Sequence, residues 1–229
     1  MKYLPYIDQA IVSGGNFLLG LLLVRFLGLE SYGTFMVGWL AILFLLSLHQ
    51  SFFTKPMLTF SAEVEGEALQ KYLSNLWIIQ WAMGLGVLAP IGFVASFFNP
   101  FELSLAIFPM FVLSFFYLLQ NFARKQFFVQ KKYKAALWSD LKVYGFIFSN
   151  LLIFNFLKTL NIDWLIFIMT IGYVLGLTSK HFWELSTNFR KNEILPIIKR
   201  HYHFSVWLLG TSVLQWFSSN FSSLQQQVY

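Results

Sequence analysis

The sequence has 229 residues, of which 57% are hydrophobic and only 11% charged, with a formal net charge of +6 and no cysteine. Soluble domains carry about 25% charged residues, so the simplest account is a surface that faces lipid rather than water. The lack of cysteine excludes disulfides and thiolate metal sites. The basic residues lie between apolar runs, so the positive charge reads as membrane topology and not as a nucleic-acid partner.

In chain order, six stretches are long enough to cross a ~30 Å hydrocarbon core, which takes about 20 residues. They are Ile7–Gly28, Thr34–Phe53, Leu73–Phe98, Phe101–Phe122, Trp138–Leu157 and Ile162–Trp183. The first is a retained span and not a cleaved signal, because its apolar part exceeds the usual ~7–15 residues and no A-x-A-like site follows. A seventh run begins near Phe204 and turns polar at "WFSSNFSSLQQQVY". Continuous apolar runs in lipid must satisfy their own backbone, so helices are expected and not barrel strands. The predicted architecture is an all-α, polytopic membrane helix bundle with six transmembrane helices and a partial seventh. Residues 1–203 form the bundle and 204–229 the start of a seventh span.

Orientation follows from lysine and arginine placement. With the N-terminus inside, Lys2, Lys55, Lys71, Arg124, Lys125, Lys131, Lys132, Lys134, Lys180, Arg190, Lys191, Lys199 and Arg200 lie on the inner side. Arg25 and Lys158 lie outside, and Lys142 falls within the fifth span. The outer connections are short: Leu29–Gly33, Asn99–Pro100 and Lys158–Asn161. Gly28 and Gly33 are expected to give the first of them the freedom to reverse.

Asp8 opens the first span and is followed by Gln9, Ser13 and Asn16 at near-helical spacing. This polar stripe should face other helices or water, as interhelical glue or as the wall of a hydrophilic cavity. The inner segment Asn121–Lys142 interleaves basic residues with Phe127, Phe128, Tyr133 and Trp138. It reads either as a connector at the headgroup level or as a source of charges for a cavity through Arg124, Asp140 and Lys142. Asp140 and Lys142 are two residues apart and cannot share a helical face, so Arg124 is the expected partner of Asp140.

The stretch "GLGVLAPIG", Gly84–Gly92, allows close packing, a proline kink or a bend around a site. Gly172 and Gly176 form a small-xxx-small packing contact. His49 reads as a solitary interfacial residue, and His201 and His203 sit two apart on a basic loop, the wrong spacing for a helical metal pair. Glu63, Glu65 and Glu67 read as a solvated edge. No nucleophile–base pair, metal-ligand cluster or phosphate-cradling glycine loop is present. The sequence therefore implies no catalytic residue, no metal, no cofactor and no enzyme.

Several segments carry a resemblance. "LVRFLGLESYGTF" resembles the first outer hairpin of polysaccharide exporters of the lipid-linked oligosaccharide flippase family, within the superfamily that includes multidrug and toxin extruders. "DQAIVSGGNFLLGLLLVRFLG", "FFTKPMLTF", "NFARKQFFVQKKYKAALWSD" and "WLLGTSVLQWFSSN" resemble its first span, the end of its second, its connection between spans four and five, and the start of its seventh. The resemblance implies the N-terminal half of a two-bundle transporter in the inner (cell) membrane. Such a protein moves an undecaprenyl-pyrophosphate-linked glycan between leaflets for surface polysaccharide or lipopolysaccharide synthesis. It matches Arg25 and Arg124 to the family's motif arginines and Asp140 to its acidic position; with Lys142, Asp8 and Asn16 from the cavity reading of the residues, these are the candidate substrate-binding residues. Since members carry twelve or more spans, it also implies an incomplete chain with a missing C-terminal half or second bundle. The alternatives are a non-transporting assembly or scaffold subunit and a small-molecule extruder of the same superfamily.

Overall fold

The computed structural model describes residues 3–98, 107–178 and 189–225. The Asn99–Pro100 connection and Lys180 lie outside them. All regular structure among the described residues is helical. Element α1 runs Leu4–His49, α2 Lys55–Phe60, α3 Gly66–Met83, α4 Ala89–Phe98, α5 Ile107–Val129, α6 Tyr133–Phe156, α7 Ile162–Gly176 and α8 Lys191–Gln225. By length and composition, four stretches among the described residues could cross a membrane: Leu4–Glu63, Gly66–Phe97, Ile107–Val129 and Tyr133–Phe156. Ile162–Gly176 is apolar but shorter.

The first of these stretches is a hairpin. Pro5 sits in its first turn, where a missing N–H costs nothing. At Gly28 the backbone takes φ 78° and ψ 166°, a region open essentially to glycine alone. The two limbs then pack together, bringing Leu19 and Leu23 against Phe35 and Ile42 in one core. Gly33 does not share the turn as the sequence implied. It is helical, as is the whole of Leu29–Gly33, because one left-handed residue suffices to end one limb and start the next. Gly28→Ala is expected to lower stability by about 1–3 kcal/mol, read as the midpoint of thermal unfolding in detergent. An unchanged midpoint would mean that the turn tolerates a Cβ.

Two wide turns interrupt the helices. The Lys55 amide bonds back five residues to the Gln50 carbonyl, and the Ala89 amide does the same to Gly84. The second falls on the Gly84–Gly92 stretch, where Gly84 and Gly92 are packing sites. A Cβ on Gly84 would lie 1.8 Å from the Phe115 ring, and one on Gly92 2.6 Å from Phe111. Gly172 and Gly176 likewise admit Ile147 and Val143, so α7 lies close on α6, as the small-residue spacing implied. Asn161 caps α7, its side-chain oxygen accepting from the Trp164 amide at 2.9 Å.

Two cores result. One joins both limbs of α1 to α5, α6 and α7 around Phe35, Leu113, Ile147 and Met169. The other joins α2, α3, α5 and the start of α6 around Met57, Leu76, Phe122 and Phe127. Helix α8 is continuous through residues 203 and 204 and packs on α1, α2 and α3, so the boundary read from composition falls inside a helix. Polarity is partly inverted. Asp8, Arg124 and Asp140 are buried, while Phe17, Val37, Phe93, Phe97 and Phe156 are exposed.

Candidate functional site

Three helices each contribute residues at i, i+4 spacing, which places them on one face. Helix α1 offers Asp8, Val12 and Asn16, α5 offers Gln120 and Arg124, and α6 offers Asp140 and Tyr144. Packed together they make two polar rungs. In the lower rung, Arg124 bridges two carboxylates from different helices. Its Nε lies 2.8 Å from Asp140 Oδ2 and donates to Asp8 Oδ2 at 3.2 Å. Its Nη2 also donates to Asp8 Oδ2. Gln120 Nε2 completes Asp140 by donating to Oδ1 at 2.9 Å. In the upper rung, the Tyr144 hydroxyl donates to Asn16 Oδ1 at 2.9 Å and lies 3.3 Å from the Val12 carbonyl. The ring can close because Gly15 has no side chain: a Cβ there would sit 2.7 Å from it.

The lower rung is nearly dry. Asp8 is fully buried, Asp140 is 1% exposed and Arg124 7%. Burying one guanidinium with two carboxylates leaves an excess negative charge when both acids are ionised, and burial makes that costly. Asp8 Oδ1 is also buried with no hydrogen-bond partner among the described residues. A polar cavity of about 40 Å³ opens beside the cluster, lined in part by Asn16, Gln120, Asn121 and Tyr144. The arrangement can hold or exchange positive charge, and it ties three helices together at one point. Arg124 points two of its donor nitrogens at protein carboxylates, so in this conformation it does not offer an open fork for a phosphate.

Of the sequence-derived candidates, the structure gathers Asp8, Asn16, Arg124 and Asp140. It does not gather Arg25 or Lys142. Arg25 is exposed and lies ~25 Å along the helix from Asp8 at 1.5 Å per residue. Lys142 is exposed and donates to Thr178 Oγ1 at 3.1 Å on the outer side of α6. Gln120 and Tyr144 went unread in the sequence, although each lies four residues from a charged residue that was singled out. Among the described residues no group of three or more His, Asp or Glu could hold a metal ion.

A second polar region docks α8. The Phe52 carbonyl, in the wide turn, accepts from His201 Nδ1 at 3.2 Å and from the Ser205 hydroxyl at 3.4 Å. The Tyr72 hydroxyl meets His201 Nε2 at 2.8 Å, and the hydroxyls of Ser51 and Ser212 meet at 2.5 Å. Arg200 pairs with Glu63, and Asn75 Nδ2 donates to Glu193 at 3.0 Å. Two expectations are thereby corrected. His201 lies on a helix and not on a loop. His49 is not solitary: it is buried, with Nε2 2.6 Å from Gln80 Oε1.

Burial pushes the His201 pKa down from 6.5 to about 4, against the raising effect of the Phe52 carbonyl. The folded pKa lies below the unfolded one, so docking is undiminished above pH 6.5 and weakens as pH falls from 6.5 towards 4. Acidification from pH 7 to pH 5 should cost about 2 kcal/mol. Thermal unfolding of the parent and of His201→Gln at both pH values checks this: the acid-induced loss should be smaller in the variant by about that amount, and an equal loss in both would mean that His201 does not carry it.

No family model matches the chain, and no curated protein or solved structure matches it.

Proposed function

We propose that the chain is a multi-pass inner-membrane protein with its N-terminus in the cytoplasm, and that it forms the N-terminal bundle of a flippase for lipid-linked glycans. The six spans are the two limbs of α1, α3 with α4, and α5, α6 and α7, with α8 opening a seventh. The observation that carries this reading is the buried Arg124–Asp8–Asp140 cluster. Charges held inside an apolar helix bundle are costly and mark substrate or ion pathways, and this one adjoins a polar cavity. The inverted exposure, with Phe and Leu outside and charge inside, supports a lipid surroundings. The family resemblance of Leu21–Phe35 and Asn121–Lys142 supplies the substrate class, an undecaprenyl-pyrophosphate-linked glycan.

The transport test is genetic. The chain, alone and joined to a second bundle, is supplied to cells lacking their own flippase, and surface polysaccharide is measured. Restoration by the joined form is expected, and failure of both forms removes the transport reading. Topology is tested separately. With no native cysteine, single cysteines at Lys132 and Thr159 should be labelled from the cytoplasmic and the outer side respectively, without background.

One observation favours a second reading, the small-molecule extruder. Two carboxylates against one guanidinium favour a cation over a pyrophosphate at the cluster itself.

A further inference from the structure

Between the two limbs of α1 lies a half-open cavity of about 270 Å³. It shares Asn16 and Tyr117 with the polar cavity beside Arg124, so the two are neighbours along one seam. The larger one is rich in aromatic rings: Tyr32, Phe35, Trp39 and Tyr117 all line it. Phe35 stacks on Trp39 with centroids 5.8 Å apart, and Trp39 tilts against Tyr117 at 5.0 Å. Tyr32, Phe35 and Trp39 come from one face of the second limb of α1 and Tyr117 from α5, so rings of two helices meet in one wall.

The wall carries uncommitted hydrogen-bonding groups. The Tyr32 hydroxyl, the Trp39 indole N–H and the Asn16 amide N–H₂ make no hydrogen bond with another described residue. None of the three is among the buried polar atoms that lack a partner. Tyr32 and Trp39 are half-buried and Asn16 is exposed, so these groups are free to meet a ligand, and a ring-lined cavity edged by three open polar groups is suited to one that is apolar on one face and rich in hydroxyls at its rim. A pyranose ring has that form: its axial C–H groups lie against an aromatic face while its hydroxyls meet donors and acceptors at the edge. The volume lies just under the ~300–1,000 Å³ of ordinary ligand pockets, enough for one ring and not for a chain of them. Gly20 completes the seam. A Cβ there would reach only within 4.0 Å of the Tyr32 hydroxyl, so the glycine leaves space instead of admitting a close neighbour.

We propose that the cavity lined by Asn16, Tyr32, Phe35, Trp39 and Tyr117 is a monosaccharide subsite that takes one pyranose ring of the glycan. The assignment rests on the flippase reading for its substrate class, but it is tested by binding and not by transport.

The protein in phospholipid nanodiscs is probed by saturation-transfer NMR with methyl glucoside, methyl galactoside and N-acetylglucosamine in turn, and with tetramethylammonium. At least one sugar should show transfer to its ring C–H protons. Trp39→Leu, which removes a wall, and Gly20→Leu, which fills the seam, should each lower that signal fivefold or more. Trp207→Leu, on the 83% exposed Trp207 of α8, should leave it unchanged. Circular dichroism identifies variants that have lost their fold, and having two variants of opposite character keeps one available. Transfer to none of the sugars, transfer to tetramethylammonium alone, or a sugar signal that survives both folded variants overturns the subsite. Sugar transfer that both variants abolish, without restored surface polysaccharide, upholds the subsite and removes the flippase reading. Restored polysaccharide without sugar transfer does the reverse.

Discussion

Replacing Arg124 with alanine is expected to destabilise the fold by about 3–5 kcal/mol, the cost of leaving buried charge without its partner. The size follows from what the guanidinium does. It answers two carboxylates, from α1 and from α6, and both are almost wholly removed from solvent. Without it, Asp8 and Asp140 face each other with only Gln120 to help. Thermal unfolding in detergent measures the loss. The triple variant Arg124→Met, Asp8→Asn, Asp140→Asn should recover most of it, because removing the charges together removes the penalty. Arg124→Ala within about 0.5 kcal/mol of the parent would mean that the cluster does not hold α1, α5 and α6 together.

The second large effect is expected at Gly176. A Cβ there would lie 2.6 Å from Val143 Cγ2, 3.2 Å from Gln120 Cγ and 3.3 Å from Ser139 Oγ. The Ser139 hydroxyl also donates to the Gly176 carbonyl at 2.8 Å. Gly176→Leu therefore pushes α7 off α6 and displaces the glutamine that completes Asp140, at a cost of about 2–3 kcal/mol for overpacking. Gly176→Ala should cost less, and Val143→Ala should restore part of the leucine variant's loss. Equal stability of Gly176→Leu and the parent would show that the α6–α7 seam has slack.

The helical class, the turn at Gly28, the close packing at Gly172 and Gly176 and the Asp140–Arg124 pair were legible in the sequence, each for a local reason. A long apolar run has few backbone options. A glycine after an arginine-ended run marks a reversal. Two small residues four apart mark a close seam. Asp140 and Arg124 sit on adjacent helices across a short turn, so proximity followed from connectivity. The third member, Asp8, lies 116 residues from Arg124, and no spacing rule reaches that far. The same limit hid His49–Gln80 and the α8 contacts, where partners meet only after packing. Lys142 shows the opposite error. It counts as a cavity charge in the sequence even though it cannot share a helical face with Asp140, and it lies on the exposed side of α6.

The wide turn at Gln50–Thr54 acts on helical phase. In a regular helix each residue advances the azimuth by about 100°, so the faces shown above and below a given point are locked together. One extra residue in a turn breaks that lock. Upstream, His49 is presented to α3 and Gln80. Within the turn, Ser51 and the Phe52 carbonyl are presented to α8, and downstream of it Met57 is presented to the second core. A regular helix through the same sequence could keep its upstream alignment or its downstream one, but not both. The insertion thus works as an azimuthal offset built into a single rod, letting one helix serve two neighbours whose directions do not match its pitch.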